Sequence, residues 1–467
     1  MSSHLKEQLS QLQEAFAQEP YPDLAVRQDR LLRLKKALKK HYPPLLEAMS
    51  EDFSGRSRQE SLMADLIPII SEIAFVRRRL KAWMRPDKRK VDWIYQPATA
   101  RIIYQPLGVV GIMVPWNYPL QLALSPLISA LAAGNRVFLK LSEWTPATNQ
   151  ALITCFAEAF TEKEVQIATG EKEVSQAFSS LPFDHLLFTG STAVGKHIQR
   201  AAAENLTPVT LELGGKSPAL LDIDITVNQA LDPLLFGKTL NAGQTCIAPD
   251  YLLCPEERLN EVTSYLHKRF AEFYPHLKDN PDYTSLIHRQ HKQRLEELIA
   301  EAQALGSPVQ EINPANEDLS STNKLPLTLL LNPGLNSRVM QEEIFGPLLP
   351  IITYQNFAEA VAFIRQRPRP LALYYLGNNA QHQQQLTYQT HSGSLAIKET
   401  LLQVAQHDLP FGGVGASGMG QYHGHEGFLT FSKAKSVFQR RLFNSTRFIY
   451  PPYGRWVHRL MERWFMR

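Results

Sequence analysis

The sequence predicts a two-domain α/β protein built on open parallel sheets, and three features of its pattern carry that prediction. A helical segment, residues 1–85, comes first; short β-rich runs then alternate with helices from Arg101 onward; a second set of the same kind follows Thr210. Alternation of this sort argues parallel strands, because each crossover helix must return over the face of the sheet. A chain of 467 residues, 44% hydrophobic and 20% charged, is long enough to bury two large cores.

In chain order, Leu5, Leu9, Leu12 and Phe16 recur at helical spacing, as do Leu31, Leu34 and Leu38. Val91 to Tyr104, broken by Pro97, reads as a β-hairpin reaching away from the first sheet, with Val437 to Tyr450 as a strand to pair with it and subunit contact as its use. The first sheet draws on Ile102 to Tyr104, Val109 to Val114, Val137 to Lys140, Val165 to Ala168 and His185 to Thr189, separated by helices such as Pro146 to Phe160. The second set reads as strand Ala219 to Leu221, helix Val227 to Leu240, strand Tyr251 to Leu253 and helix Asn260 to Tyr274. Tyr450 to Arg467 mixes Trp456, Leu460, Trp464 and Phe465 with Arg455, Arg459, Arg463 and Arg467. Such a basic amphipathic helix suits a membrane surface, but packing on the protein itself or on a partner subunit is the first expectation.

Lys plus Arg exceed Asp plus Glu by only four, 49 against 45, which does not suggest a nucleic-acid surface. The three cysteines form no CxxC pair, and Met1 to Gln18 is polar rather than a secretory signal, so a cytoplasmic location is expected. The most apolar region, Leu107 to Ala133, is cut by Pro115, Asn117, Pro119, Gln121 and Pro126, so no transmembrane segment is expected.

Chemistry concentrates in a few segments. Gly243-Gln244-Thr245-Cys246 follows a helix, and a thiol on a glycine loop opening toward a cleft is a nucleophile in waiting; a lone cysteine is as often a small buried hydrophobe, the reading given to Cys155 and Cys254. Glu212 sits in an apolar strand ending in Gly214 and Gly215, where desolvation would raise its pKa toward that of a general base; pairing with Lys216 at the surface is the alternative. Asn117, in Pro115-Trp116-Asn117-Tyr118-Pro119, is held so that its amide suits an oxyanion, or else it caps the next helix. Phe188 to Gly195 runs from strand to helix through Gly190 and Ser191, whose N–H groups suit a phosphate, although the segment is not GxGxxG. Lys140-Leu141-Ser142-Glu143 ends a strand, where ligands of open sheets bind.

Together with Glu342 to Pro347 and the glycine-rich Leu409 to Gly420, these blocks are similar in order and spacing to the aldehyde dehydrogenase superfamily over residues 108–436. The chain resembles the class 3 branch, and Asp52 to Arg56, Trp83 to Arg89 and Gly420 to Lys435 most resemble bacterial coniferyl aldehyde dehydrogenases. The resemblance implies a Rossmann-type cofactor domain (1–90 and 105–212), an α/β catalytic domain (213–409), a bridging or oligomerisation arm (91–104 and 437–450) and a tail (451–467). It implies that Cys246 attacks the aldehyde, that Asn117 helps hold the oxyanion and that Glu212 activates water to hydrolyse a thioester. It also implies cofactor contacts: Lys140 and Glu143 at the adenosine ribose, Ser191 with Gly190 at the pyrophosphate, Glu343 at the nicotinamide ribose, and Phe345 with Trp116 about the ring. The cofactor is expected to be NAD, with NADP possible, since the Glu143 carboxylate would repel a 2′-phosphate.

What the resemblance implies is oxidation of an aldehyde, such as coniferaldehyde, by a homodimer. A medium- or long-chain fatty aldehyde is the alternative substrate, and a non-catalytic protein on the same fold the alternative of another class. Expected tunnel residues are Tyr118, Trp116, Leu122, Ala248 and His407, while His423 and His425 read as ordinary polar loop residues, with no metal site.

Overall fold

The computed structural model describes residues 2–441 and 443–466 and organises them around three sheets. The first has the order Gly418–Met419, Val209–Leu213, His185–Gly190, Val109–Met113, Arg136–Lys140, Val165–Ala168, parallel except for the two-residue edge strand. The second runs Val309–Ile312, Leu327–Leu331, Leu348–Tyr354, Tyr251–Pro255, Pro218–Leu221, Ala372–Leu376, Ser394–Ile397, with only its first strand antiparallel. Every residue of Val109–Met113 and Arg136–Lys140 is buried, as expected of parallel strands covered on both faces.

The pleat of the first sheet divides its core in two. Val109, Met113 and Phe138 join Leu5, Leu9 and Leu12 of the helix Ser2–Gln18 on one face. Val110, Ile112, Val137 and Leu139 face the other way, toward Leu127 and Leu131 and, beyond them, Leu31 and Leu34 of Leu24–Asp52. Leu127 and Leu131 lie on Gln121–Ala133, which is buried on all sides from Leu122 onward, as a helix whose only polar side chains past Gln121 are Ser125 and Ser129 allows.

The arm differs from expectation in register. Its hairpin opens with Asp87–Arg89, folds a short 3₁₀ turn at Trp93–Tyr95 and continues as Ala98–Pro106, starting just past Pro97, which has no N–H for the ladder. The partner strand is Ser432–Arg440, pairing from Ser432 with Pro106 to Arg440 with Ala98; only Val437 to Arg440 of the expected strand belong to it, and Ser445–Ile449 is a 3₁₀ turn. Leu442, within the expected strand, lies outside the described residues, as do Met1 and Arg467. At the expected boundaries, Leu213 still belongs to the first sheet, and Gly418–Met419, beyond 409, returns to it.

The tail forms the helix Trp456–Phe465 with no buried residue; Trp456 and Trp464 are each 67% exposed, and the aromatic contact of Trp464 is with Trp93 at 5.8 Å. Packing on its own chain is therefore slight. Among the described residues no helix is long and apolar enough to cross a membrane.

Candidate active site

In the first sheet, Val109–Met113 and His185–Gly190 are neighbours from which the connections depart in opposite directions, so the crevice at their carboxyl ends is where an open sheet takes a ligand. Pro115 to Tyr118 leave the first strand there, and Gly190 and Ser191 leave the second. The amino ends of the second sheet meet the same crevice. Cys246 stands just before Tyr251–Pro255, and Glu343 and Phe345 just before Leu348–Tyr354. Asn117 joins the two sides, its Nδ2 donating to the carbonyl of Gln244 at 3.1 Å.

The turn leading to the cysteine is left-handed for three residues, Asn241 (φ 53°), Ala242 (φ 52°) and Gly243 (φ 75°). A side chain at Gly243 would put its Cβ 2.5 Å from the carbonyl oxygen of Gly346, so only glycine fits. Gln244 fastens the turn: its Nε2 donates to the carbonyls of Asn241 (2.9 Å) and Ser285 (3.1 Å), and its Oε1 accepts from the Ile287 N–H at 2.9 Å. The Thr245 hydroxyl meets that of Tyr118 at 2.7 Å.

Cys246 itself lines a mostly apolar cavity of about 180 Å³ with Tyr118, Leu122, Phe236 and Leu401. Burial, and after it the carboxylates of Glu343 and Glu212, push its thiol up to about 12. It rests as a thiol, and a nearby base must take its proton before it can attack. Cys155 and Cys254 are fully buried in the core, the bland role expected of them.

Glu212 is 2% exposed, with no partner for either carboxylate oxygen, and burial raises its pKa well above the usual range. The alternative pairing with Lys216 is not made, since that ammonium goes to Asp250 and to the carbonyls of Val339 (2.8 Å) and Glu342 (2.9 Å). Glu343 also carries an unpartnered buried oxygen, and burial first, then Asp250, raises it to about 8. Its carboxylate lies so close to Gly214 that a Cβ there would fall 1.9 Å from Oε2.

Asn117 is not a helix cap. Leu120 precedes Gln121–Ala133 without any side-chain bond, and the carboxylate of Asp65 receives the Gln121 N–H at 2.9 Å instead. Asp65 also pairs with Arg56 at 2.8 Å, both side chains completely buried, and Arg56 donates to the Asn117 carbonyl at 2.8 Å. Asn241 Nδ2 donates to the same carbonyl at 3.1 Å. The asparagine is thus fixed by residues to which the sequence assigns no such role: an arginine in the loop after Leu24–Asp52, an aspartate in the helical segment that follows, and an asparagine in a strained turn.

Around the crevice, Lys140 pairs with Glu143 at 3.0 Å. Ser191 caps Thr192–Ala203, accepting the Val194 N–H at 3.4 Å. Trp116 meets Phe345 edge-on at 5.4 Å; Phe345 has φ 56°, and its carbonyl is engaged by His291 Nε2 at 2.8 Å. A second cavity, about 480 Å³, is lined by Thr192, Gly214, Glu343 and Ala416. Among the expected tunnel residues Tyr118 and Leu122 line the cavity at Cys246, whereas Trp116, Ala248 and His407 do not; Trp116 turns to Phe345, and His407 meets the Ser71 hydroxyl at 2.6 Å. His423 was expected to be an ordinary polar loop residue and is instead 3% exposed in the cavity wall, while His425 stacks on Trp83 at 5.5 Å.

The aldehyde dehydrogenase family model matches residues 3–437. A probable coniferyl aldehyde dehydrogenase of Pseudomonas aeruginosa is 50% identical, over 99% of this chain and 98% of its own. A coniferyl aldehyde dehydrogenase of a Pseudomonas species is 43% identical, over 97% and 95%. Among solved structures, the substrate-bound state of Staphylococcus aureus AldH superposes with a TM-score of 0.93 at 36% identity, covering 99% of each chain. A Mycobacterium tuberculosis aldehyde dehydrogenase complexed with NAD+ gives 0.85 at 27% identity, covering 94% and 90%.

Proposed function

The chain belongs to the aldehyde dehydrogenase family, and from that premise we propose that it oxidises an aromatic aldehyde such as coniferaldehyde to its acid through a thioester on Cys246. The observation that carries the reading is the thiol of Cys246 in an apolar cavity, electrostatically coupled to Glu212, a buried carboxyl with no other partner.

The thiol proton passes to the Glu343 carboxylate, the charge that acts on it most strongly, as Sγ bonds to the carbonyl carbon. The oxygen so charged is held by Asn117 Nδ2 and the Cys246 N–H, donors set in place before reaction and therefore effective in a site that excludes water. The chemistry NAD(P) supplies when bound is acceptance of hydride from that carbon, which leaves the thioester. Glu212 then takes a proton from water as the water adds, and cleavage of the C–S bond returns the thiol. The crevice suits a dinucleotide: a helix amino end at Ser191 for the pyrophosphate beside Gly190, Lys140 and Glu143 for the adenosine ribose, Glu343 with its unpartnered Oε1 for the nicotinamide ribose, and Phe345 with Trp116 about the ring. Glu143 favours NAD over NADP by charge.

In this reading the first sheet is the cofactor domain, the second the catalytic domain, and the exposed arm serves a cytoplasmic homodimer. Initial rates of NAD reduction with coniferaldehyde, benzaldehyde, hexanal and dodecanal, with Cys246→Ser in parallel, test it. Preference for coniferaldehyde that is lost in the variant is expected; preference for dodecanal overturns the substrate.

A further inference from the structure

The cavity beside Cys246 is mostly apolar; Tyr118 and Thr245 in its lining satisfy each other, and two further lining residues carry polar atoms without partners. His423 is 3% exposed, and neither ring nitrogen has a hydrogen bond; Gln121, which also lines the cavity, has an unpartnered Oε1. Buried polar groups are nearly always satisfied, so unpartnered atoms on two residues that line one cavity ask for a partner that enters it.

His423 is also held in place. Its backbone has φ 80° and ψ 146°, a region side chains rarely adopt, and strain of that sort persists where the surroundings enforce it and often marks a site of function. Phe411 and Tyr422 exchange backbone hydrogen bonds of 2.9 and 2.8 Å, and their rings flank the imidazole, Phe411 stacked at 5.6 Å and Tyr422 edge-on at 4.6 Å. Burial lowers its pKa to about 3, so the ring is neutral and offers one donor nitrogen and one acceptor. Gln121 is fixed from behind by the bond from its N–H to Asp65.

We infer that His423, with Gln121, selects the substrate by hydrogen-bonding oxygen substituents on the aromatic ring of the aldehyde, a phenolic hydroxyl above all. This rests on the reading that the cavity takes an aromatic aldehyde, and deepens it. The hydroxyl donates to the acceptor nitrogen of His423 or to Gln121 Oε1, and its oxygen, or a neighbouring alkoxy oxygen, accepts from the donor nitrogen. An unsubstituted ring or an alkyl chain offers these groups no hydrogen bond and leaves them unpaired.

The test compares coniferaldehyde with cinnamaldehyde, which lacks the ring oxygens, in the wild type, His423→Leu, His423→Gln and Gln121→Met, with NAD saturating. The readout is the ratio of the two kcat/KM values within each protein, which a smaller fraction of correctly folded enzyme does not change. The wild type is expected to favour coniferaldehyde about 10- to 100-fold. The ratio should fall toward one in His423→Leu, chiefly through KM for coniferaldehyde, fall less in Gln121→Met, and recover in part in His423→Gln. A wild-type ratio near one overturns the inference while leaving aromatic aldehyde oxidation standing, as does a ratio that survives both His423→Leu and Gln121→Met. Preference of the wild type for dodecanal over both aromatic aldehydes sinks the aromatic reading as well.

Discussion

Replacing Glu212 with Gln separates the two halves of the reaction. The amide keeps the shape of the carboxyl and, because neither carboxylate oxygen has a partner, breaks no hydrogen bond in the folded protein. It removes the base that activates water, a contribution of roughly 10²- to 10⁴-fold in rate. Thioester formation is retained and its hydrolysis slows, so rapid mixing with coniferaldehyde and NAD should give a burst of NADH equal to the active sites, then a steady state slower by that factor. A fall in burst and steady-state rates by the same factor would refute the assignment and place Glu212 before the acyl intermediate. The same carboxyl also marks stability. Its folded pKa lies above its unfolded one, so the folded protein holds that proton more tightly, and the stabilisation present at acid pH is lost as pH rises through the folded value. The melting temperature of Glu212→Gln should therefore gain on the wild type as pH is raised; a difference independent of pH contradicts the buried, raised carboxyl.

Three further outcomes are expected. With the Cys246 thiol pushed up to about 12, its alkylation by iodoacetamide in the absence of coenzyme should keep rising with pH beyond 9, and a plateau near 7 would show a preformed thiolate. Arg56→Met leaves the buried Asp65 carboxyl without its cation, at a cost of about 3–5 kcal/mol, and loosens Asn117; calorimetry should show a lowered melting temperature and kinetics a lowered kcat, whereas unchanged values would deny Arg56 its positioning role. Gly243→Ala, with φ 75° and a Cβ 2.5 Å from the Gly346 carbonyl, should displace the turn, costing stability and nearly all activity, and near-normal kcat would contradict the geometry.

Much of this was legible in the chain. Strands covered on both faces, such as Val109–Met113, appear as continuous apolar runs, and helices such as Ser2–Gln18 as leucines at helical spacing. Cys246, Glu212 and Asn117 stood out because each sits beside glycine or proline at a strand or helix end, and the structure brings all three to one crevice. The arm strand Ser432–Arg440 did not stand out, since most of its residues are exposed and its Lys433, Lys435 and Gln439 give no apolar alternation. Gly418–Met419 is too short to show a period. His423 resembled a polar loop residue because burial of a histidine next to glycine depends on Phe411 and Tyr422 closing over it, a tertiary fact. The Arg56–Asp65 pair was invisible for the same reason: a charge in a loop and another in a covering helical segment look solvated until the loop they hold is seen.

The central claim is an acyl group carried on Cys246 and released by Glu212. Its most direct test is the intact and peptide mass of Glu212→Gln quenched in acid seconds after mixing with coniferaldehyde and NAD. The account predicts one feruloyl group per chain, on the peptide containing Cys246 and removed by hydroxylamine; unmodified protein after a full burst of NADH would contradict it.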